Sequence, residues 1–557
     1  MGDNKLKKSW WKEVIAYQIY PRSFFDSNND GCGDINGIIE KLDYLKDLGI
    51  DLVWISPFYD SPMDDNGYDI RDYYQVAKQF GTLVDVKNLI KEAHKRNIKV
   101  MFDLVLNHTS DEHPWFIEAR KSRDNDYRDY YIWLDGRVIN GKMLPPTNWG
   151  SFFGGSCFEY DEVANQYYMK IFGKKQPDLN WKNKKVREEM KKIINWWIDQ
   201  GVDGFRVDAI SHLGKAEFID AEPKSKQLVY DFTKFSNLEL VHEVLKELGE
   251  EIFFKRNVAT IGEVGGSPTV EEAFRYIASS NKELNMLFTF DHVYCNENGK
   301  VDFKKLKEAI FKWQEAIQND GWIGLYWANH DHPRVLSYYG DEQNPIKSAS
   351  MLATLMYFLK GTPFIYNGEE IGMTNYPFTS ISDFDDVKIR NNYEIEVLKG
   401  DLTEQAFIDK YKFTSRDNAR TVFQWNKKDY AGFSTVLPKY KVNPNYLLYN
   451  VEKELQDTES ILKHYKAILK LRKEYQDIFV YGSTNIKLRD HEQIVMYERK
   501  FADTCIVVIC NFFNSSININ IDYEKLTILY SNYNEREIIK NHTLKPYEAI
   551  VLKVEGL

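Results

Sequence analysis

The alternation of hydrophobic and polar positions divides most of the chain into repeating strand and helix segments. Eight short apolar segments predict strands: Val14–Tyr20, Leu52–Ile55, Lys99–Asp103, Gly204–Asp208, Val258–Gly262, Met286–Phe290, Gly324–Ala328 and Pro363–Tyr366. Eight segments with helical periodicity follow them in turn: Ile38–Leu48, Val84–Lys95, Lys185–Asp199, Leu228–Leu248, Thr269–Ala278, Phe303–Ile317, Ser348–Leu359 and Ile461–Tyr475. This repetition predicts an α/β fold, a (β/α)8 TIM barrel rather than an open doubly wound sheet.

Three regions fall outside the repeat. Residues 108–177 are too long for an ordinary connection and hold Trp, Gly and Pro clusters, which predicts a small inserted domain after the third strand. A second insertion spans about Thr374 to Asp457. Beyond it, short β-branched segments separated by Asn, Asp and Gly predict a C-terminal antiparallel β-sandwich. We therefore predict a barrel made of residues 1–107 and 178–477, an inserted domain at 108–177 and a C-terminal domain at 478–557.

Composition narrows the class of protein. The 557 residues carry a net charge of −10 with both signs interspersed, which argues against nucleic-acid binding. Five scattered cysteines imply no disulfide framework. The polar start and the lack of a long apolar run predict neither a signal peptide nor a membrane span. These features indicate a cytoplasmic protein. We also expect a monomer or weak homo-oligomer whose partner is a small molecule.

The fourth strand carries an arginine and an aspartate on one face. Arg206 and Asp208 are two residues apart, so their side chains project the same way. Buried charges of this kind are normally paired, and one interpretation is a structural salt bridge. The other is a carboxylate whose pKa Arg206 lowers, so that Asp208 stays ionised and can act as a nucleophile.

Other chemically active residues stand where barrel strands end, which is where barrel enzymes place their chemistry. His108 follows the third strand, Glu263 the fifth, and His330 and Asp331 the seventh. Several carboxylates without a Ser-His or Cys-His pair favour glycoside hydrolysis. Small and apolar neighbours suit Glu263 as the proton donor. The histidines would hydrogen-bond sugar hydroxyls, and metal ligation is the alternative.

At these residues the chain resembles the α-amylase superfamily (glycoside hydrolase family 13), in particular its oligo-1,6-glucosidase and α-glucosidase branch. Four stretches match the hallmark regions of that family in order: Asp103–His108, Gly204–Asp208, Glu263 and Asn329–Asp331. Gln176–Trp181 and Ser415–Thr421 match two further stretches of the branch. The resemblance covers nearly the whole chain.

The resemblance implies a retaining exo-glucosidase. Asp208 would attack the anomeric carbon, Glu263 would be the acid and base about 5–5.5 Å away, and Asp331 would help distort the sugar. Asp65 and Arg416 match the clamp on the terminal glucose, and Tyr68 its stacking platform. The motifs also imply that Gln176, Arg206, Ala209 and the two histidines line the sugar site. Taken alone, Asp64–Asp69 could be a plain turn.

The loop after the first strand has oxygen-bearing residues at alternate positions, which suits Ca²⁺. The family binds Ca²⁺, or Mg²⁺, at matching positions: Asp26, Asn28, Asp30, Asp34 and the carbonyl of Cys32. We predict a structural cation here, and an Asx-rich turn without an ion is the alternative.

Position 209 bears on the substrate. Members of the branch that favour α-1,6 links usually have valine there, so Ala209 makes α-1,4 or mixed specificity plausible. We predict hydrolysis of terminal α-linked glucose from isomaltose, panose and maltose. The alternatives are trehalose-6-phosphate hydrolysis and a sucrose-acting relative, although Asn296–Gln318 lacks the Arg-Leu-Asp-Arg-Asp stretch of sucrose isomerases. More remote is a non-catalytic transporter subunit.

Overall fold

Eight parallel strands close into the predicted barrel. The computed structural model describes residues 8–297, 299–533, 538 and 540–555. The barrel strands are Ala16–Ile19, Leu52–Ile55, Lys99–Val105, Gly204–Asp208, Ala259–Glu263, Met286–Phe288, Ile323–Leu325 and Thr362–Tyr366. They pair in chain order, and the eighth pairs with the first to close the barrel. The seventh strand stops at Leu325, earlier than predicted, so His330 and Asp331 lie in the loop beyond it.

Amphipathic helices surround the barrel. The α-helices are Trp10–Glu13, Ile35–Leu48, Leu83–Lys95, Pro114–Ala119, Lys184–Asp199, Glu239–Leu248, Val270–Phe274, Phe303–Ala316, Val335–Tyr339, Pro345–Tyr357, Val387–Tyr393, Glu404–Tyr411, Val451–Gln456, Ile461–Glu474 and Gln476–Tyr481. Most of them begin at a side-chain cap, as where Thr82 and Asp85 form a capping box. The helix predicted from Leu228 begins only at Glu239. Asn237 just before it has a φ of 57°, which is incompatible with a right-handed helix.

The region after the third barrel strand forms small sheets of its own. Its strands are Trp133–Leu134, Arg137–Ile139, Lys142–Leu144, Phe158–Asp161 and Gln166–Met169, arranged as a three-stranded sheet and a hairpin. A separate apolar core around Trp149, Cys157 and Met169 supports them. Isolated bridges join His108 to Asp178 and Tyr131 to Leu179 where this region meets the barrel. Elsewhere Tyr59–Asp60 pairs with Asp72–Val76, and Asn296–Glu297 with Lys300–Val301.

The end of the chain is antiparallel, as predicted. Its strands are Ser483–Lys487, Ile494–Phe501, Thr504–Asn511, Ile517–Asn520, Leu526–Ser531, Asn541–Leu544 and Ala549–Val554. Five form one sheet and two form a smaller one, with an apolar cluster between them. The sequence did not predict Asn541–Leu544, which is short and mostly polar. The exact domain boundaries given above stay predictions.

Buried cations fasten both the helix Ile461–Glu474 and the C-terminal sheets to the barrel. Arg472 donates to the carbonyls of Tyr357 and Gly361 at 2.6 and 2.5 Å. Arg499, on the C-terminal sheet, donates to the carbonyl of Phe358 at 3.1 Å. Lys307 donates to the carbonyl of His491 at 2.6 Å. Each cation therefore satisfies backbone oxygens that would otherwise be buried without a partner. In the described part of the chain, no helix is long and apolar enough to cross a membrane.

Candidate active site

One buried arginine connects the carboxylates at the mouth of the barrel. Arg206 Nη1 lies 2.6 Å from Asp208 Oδ1, and its Nη2 lies 2.6 Å from Glu263 Oε2. Nη1 also contacts Asp103 Oδ1 at 2.5 Å. These residues come from the third, fourth and fifth barrel strands, which are neighbours in the sheet. The fold therefore places Asp208 and Glu263 at one pocket, as the strand ends predicted.

Exposure separates two kinds of residue in this Arg206 cluster, which comprises Arg206, Asp103, Asp208 and Glu263. The side chains of Arg206 and Asp103 are 1% and 0% exposed, whereas those of Asp208 and Glu263 are 10% and 21% exposed. Asp103 is also held by Trp54 Nε1 at 2.8 Å. The two accessible carboxylates can meet a substrate, and the two enclosed groups can only support them.

The electrostatics of the cluster correct one expectation. Burial raises the pKa of Asp208 well above its usual range, although Arg206 acts to lower it. Burial also raises the pKa of Asp103 to about 6. The prediction that Arg206 would leave Asp208 with a lowered pKa is therefore wrong for the pocket without substrate. One guanidinium is shared among three carboxylates, and at the buried Asp103 and Asp208 it does not offset the cost of removing the charge from water.

His330 and Asp331 form the next part of the pocket. His330 is fully buried. Gln18 Nε2 donates to Nδ1 of His330 at 2.8 Å, so the hydrogen of the neutral ring is on Nε2. This Nε2 faces the Tyr68 hydroxyl at 2.6 Å. Asp331 Oδ2 lies 3.2 Å from the same Nε2. The rings of Tyr68 and His330 stack at 5.4 Å. Burial lowers the pKa of His330 well below its usual value, which keeps the ring neutral.

Asp331 also contacts a second arginine, Arg416, which faces three carboxylates of its own. Arg416 Nη1 lies 3.2 Å from Asp331, and Nη2 lies 3.4 Å from Asp65. Asp386 binds Nε and Nη2 of Arg416 at 2.9 and 2.5 Å. We call Arg416, Asp65, Asp331 and Asp386 the Arg416 cluster. It brings together residues that lie far apart in the sequence, including the predicted pair Asp65 and Arg416.

The inserted region reaches the same pocket through Gln176. Its Nε2 lies 3.1 Å from Asp65 Oδ2 and 3.1 Å from His108 Nε2. Burial lowers the pKa of His108 to about 3, so this ring is neutral as well. The predicted sugar-site residues Tyr68, His108, Gln176 and His330 are therefore connected to one another or to a carboxylate of the pocket.

Two residues that bind Arg416 or Asp331 were assigned no role from the sequence. Asp386 precedes a helix of the second insertion, where no strand-end rule points to it. Arg420 lies in the motif Ser415–Thr421, and its Nη2 binds Asp331 Oδ1 at 2.7 Å. Although burial opposes it, His330, Arg416 and Arg420 together lower the pKa of Asp331 well below the usual range.

Ala209 occupies an unusual backbone conformation beside the carboxylates. It has φ 46° and ψ 33°, in the left-handed region that residues other than glycine seldom adopt. Its backbone N–H donates to Glu263 Oε2 at 3.2 Å. The left-handed turn thus directs a donor at one of the candidate catalytic groups, and strain of this kind is common at functional sites.

The predicted cation loop lies apart from the pocket contacts described above. Asp26 Oδ1 accepts the N–H of Asn29 at 2.8 Å, and Oδ2 accepts that of Gly31 at 2.8 Å. Asp30 accepts the N–H of Cys32, and Asp34 that of Ser27, both at 2.8 Å. Oxygen donors suit a hard cation, but these hydrogen bonds already use several of them.

Among the described residues, no group of three or more His, Cys, Asp or Glu side chains has an arrangement able to hold a metal ion. The cation at Asp26, Asn28, Asp30, Cys32 and Asp34 stays a prediction.

A TIM barrel whose mouth holds accessible carboxylates on neighbouring strands has the functional groups of a glycoside hydrolase. The family model described as "Alpha amylase, catalytic domain" matches residues 18–482. The chain belongs to this family, and the resemblance drawn from its motifs is confirmed.

Relatives of known name match over nearly the full chain. Oligo-1,6-glucosidase of Bacillus cereus is 46% identical over 99% of this chain and 100% of its own. Trehalose-6-phosphate hydrolase of Bacillus subtilis is 43% identical over 98% of each. Among solved structures, trehalulose synthase of Pseudomonas mesoacidophila matches with a TM-score of 0.93 at 38% identity, covering 99% of this chain and 100% of that one. These comparisons support an α-glucosidase type of hydrolase.

Proposed function

We propose that this enzyme is a retaining, exo-acting α-glucosidase that removes terminal α-linked glucose from short oligosaccharides such as isomaltose, panose and maltose. The observation that carries the proposal is the binding of Asp208 and Glu263 to two nitrogens of one guanidinium. Both carboxyls therefore face the same space beside Arg206, as the nucleophile and the acid of a retaining enzyme must, and their separation of about 5–5.5 Å stays a prediction.

Two carboxylates of the Arg206 cluster would take the two roles of the mechanism. Glu263, the more exposed of the two, would protonate the leaving oxygen. Asp208 would attack the anomeric carbon as the anion. After the leaving group departs, Glu263 would take a proton from the water that releases glucose.

The exo-acting part rests on the Arg416 cluster. Asp65 and Arg416 supply an acceptor and a donor that can hold adjacent hydroxyls of a terminal glucose, while Gln176 orients Asp65. Phe153 of the inserted region lies against Arg416, with the ring centroid 5.1 Å from the guanidinium carbon. A sugar chain held there would enter with its non-reducing end first.

Azide rescue tests the roles of the two carboxylates separately. With p-nitrophenyl α-glucoside, Asp208→Gly plus azide should give β-glucosyl azide, since azide replaces the attacking carboxylate. Glu263→Ala plus azide should give α-glucosyl azide, since azide then attacks the glucosyl-enzyme. The unaltered enzyme under the same azide serves as the control. Normal turnover by Asp208→Gly, or the same azide anomer from both variants, would contradict the proposal.

A second candidate is trehalose-6-phosphate hydrolysis. It is favoured by the similarity to the B. subtilis enzyme of that name and by a TM-score of 0.91 to the trehalose-6-phosphate hydrolase structure of Bacillus licheniformis, at 41% identity over 99% of this chain. Comparing kcat/KM for isomaltose, panose, maltose, sucrose and trehalose-6-phosphate decides between the two. A value for trehalose-6-phosphate at least tenfold above the others would replace the first proposal.

We also propose that the enzyme is located in the cytoplasm.

A further proposal is a structural Ca²⁺ or Mg²⁺ in the loop from Asp26 to Asp34. A cation that binds only the folded state stabilises it by an amount that grows with the logarithm of the free cation concentration, so chelation should lower the melting temperature and added Ca²⁺ should restore it. Asp30→Ala should remove this response, and the exposed Asp124→Ala serves as the control. An unchanged melting temperature in the chelated enzyme would count against the cation.

A further inference from the structure

A cavity separate from the catalytic pocket lies between the inserted region and the barrel. Its volume is about 370 Å³, within the range of pockets that bind small ligands. Its walls come from the inserted region, from residues 180–182 and from the loop after the fourth barrel strand. Four aromatic side chains line it: Tyr131, Trp133, Trp181 and Phe218. None of the residues of the Arg206 and Arg416 clusters does.

The charges that line this cavity are mainly positive. Arg123, Arg128, Lys182 and Lys215 face a single acidic side chain, Asp129. Arg123 is paired with Asp135 at 2.7 Å, and Lys215 with Asp178 at 2.8 Å. Arg128 and Lys182 form no salt bridge with any other residue that the structure describes. Arg128 and Lys182 therefore carry charges that no described carboxylate contacts directly.

Arg128 is the centre of this arrangement. It is 7% exposed, and its guanidinium carbon lies 4.0 Å from the centroid of the Trp133 ring. Its Nη1 donates to the carbonyl of Ala119 at 2.8 Å, and its Nη2 to the side-chain oxygen of Gln166, so both acceptors are neutral. A guanidinium has five N–H donors, so part of this one is left for a ligand. A buried cation without an anionic partner is costly, which an anionic ligand would relieve.

We propose that this cavity binds a small organic anion: a sugar-sized ring that carries a phosphate or carboxylate group. The aromatic walls suit a flat or ring-shaped body, and Arg128 and Lys182 would hold the anionic group. Lys215 marks the limit of the site towards the catalytic pocket. Its Nζ contacts Asn107 Oδ1 at 3.1 Å, next to His108, so this lysine stands between the cavity and the sugar-site residues.

Calorimetric titration with glucose 6-phosphate tests the proposal when the catalytic pocket is filled with 1-deoxynojirimycin. Glucuronate is titrated to test whether a carboxylate can replace the phosphate. Glucose tests binding of the neutral ring, and inorganic phosphate tests binding of the anion without a ring. We expect saturable binding of glucose 6-phosphate or glucuronate, at least tenfold tighter than that of glucose. Lys182→Glu should weaken it at least tenfold. Lys184→Glu makes the same charge change on a residue that does not line the cavity, and should leave it unchanged.

Arg128→Gln should also weaken binding at least tenfold. Because it removes hydrogen bonds within the fold, its melting temperature is measured first, and Lys182→Glu keeps the test valid if Arg128→Gln is unstable. Equal binding of glucose and its anionic forms would overturn the proposal. The same is true if binding is absent at millimolar ligand, or if Lys182→Glu and Lys184→Glu weaken it equally. Binding that disappears when 1-deoxynojirimycin is added would place the anion in the catalytic pocket and would also overturn it.

Discussion

Two arginines in the pocket each face three carboxylates, but the two clusters come from different parts of the fold. The Arg206 cluster stands on adjacent barrel strands, whereas the Arg416 cluster is assembled by loops more than 350 residues apart at their extremes, from Asp65 to Arg416. Their electrostatics differ too. The pKa of Asp208 is raised because burial outweighs its single arginine, and that of Asp331 is lowered because Arg420 and His330 reinforce Arg416.

The difference indicates a division of labour. A cluster on strands is held by the sheet and is short of positive charge, so it can store and move a proton. A cluster on loops with a second arginine keeps its aspartate ionised and is suited to holding hydroxyls. If this division is right, matched substitutions in the two clusters should have different kinetic effects.

The largest effect is expected from Arg206→Lys. Lysine keeps the charge but cannot bridge Asp208 and Glu263 with two nitrogens. We expect kcat to fall by roughly 10²- to 10³-fold, as for the loss of a preorganised donor, with a small change in KM. Steady-state kinetics on p-nitrophenyl α-glucoside measure this, and a melting curve checks the fold. A kcat within threefold of the parent would show that the bridge is dispensable.

Arg416→Lys is the matched change in the other cluster. It should weaken charge-assisted hydrogen bonds to the bound sugar, each worth about 1.5–3 kcal/mol, and so lower kcat/KM by roughly 10- to 100-fold, mainly through KM. The same assay applies, with maltose as a natural substrate. If instead kcat fell as far as in Arg206→Lys while KM stayed constant, the proposed division between the clusters would be wrong.

Ala209→Val tests how the side chain at position 209, beside the carboxylates, affects the choice of linkage to the second sugar. A β-branched residue is disfavoured at a φ of 46°, so we expect a lower melting temperature. We also expect the ratio of isomaltose to maltose turnover to change by about tenfold or less, since one small group alters discrimination by only ~1–3 kcal/mol. Ala209→Gly, which accepts positive φ, is the control and should not lower the melting temperature through strain.

The smallest effect concerns pH. Only ionised Asp208 can attack, and burial raises its pKa, so kcat/KM should fall as the pH drops through that raised value rather than near 4, where aspartate usually titrates. This acid limb should stay in place in Arg416→Lys, because Arg416 does not contact Asp208. A limb at pH 4 or below in the free enzyme would mean that Arg206 prevails over burial.

The two clusters also show what the sequence could predict. Arg206, Asp208 and Glu263 were found because strand periodicity places them at the carboxyl ends of barrel strands, which converge. Asp65 and Arg416 came only from motif resemblance, since nothing local to Asp64–Asp69 indicates a distant arginine. The sequence did not predict a role for Asp386, because its position depends on how the second insertion folds back over the barrel.

The sequence did not predict the raised pKa of Asp208 either, for a related reason. Sequence shows that an arginine stands nearby, but not that Asp103 and Glu263 share the same guanidinium. Nor does it show that all of these groups are shielded from water. The balance between burial and charge depends on contacts between strands, which periodicity does not report.

The buried cations at the junction of barrel and C-terminal sheets limit how the chain can be shortened. The family match stops at residue 482, yet Arg499 beyond it serves a carbonyl at Phe358, just before the eighth barrel strand. A truncated protein ending at residue 482 would leave Lys307 without its carbonyl partners. It would also expose the apolar surface of the barrel that the C-terminal sheets cover. The C-terminal sheets are thus part of the folded catalytic unit and cannot be removed as a separate domain.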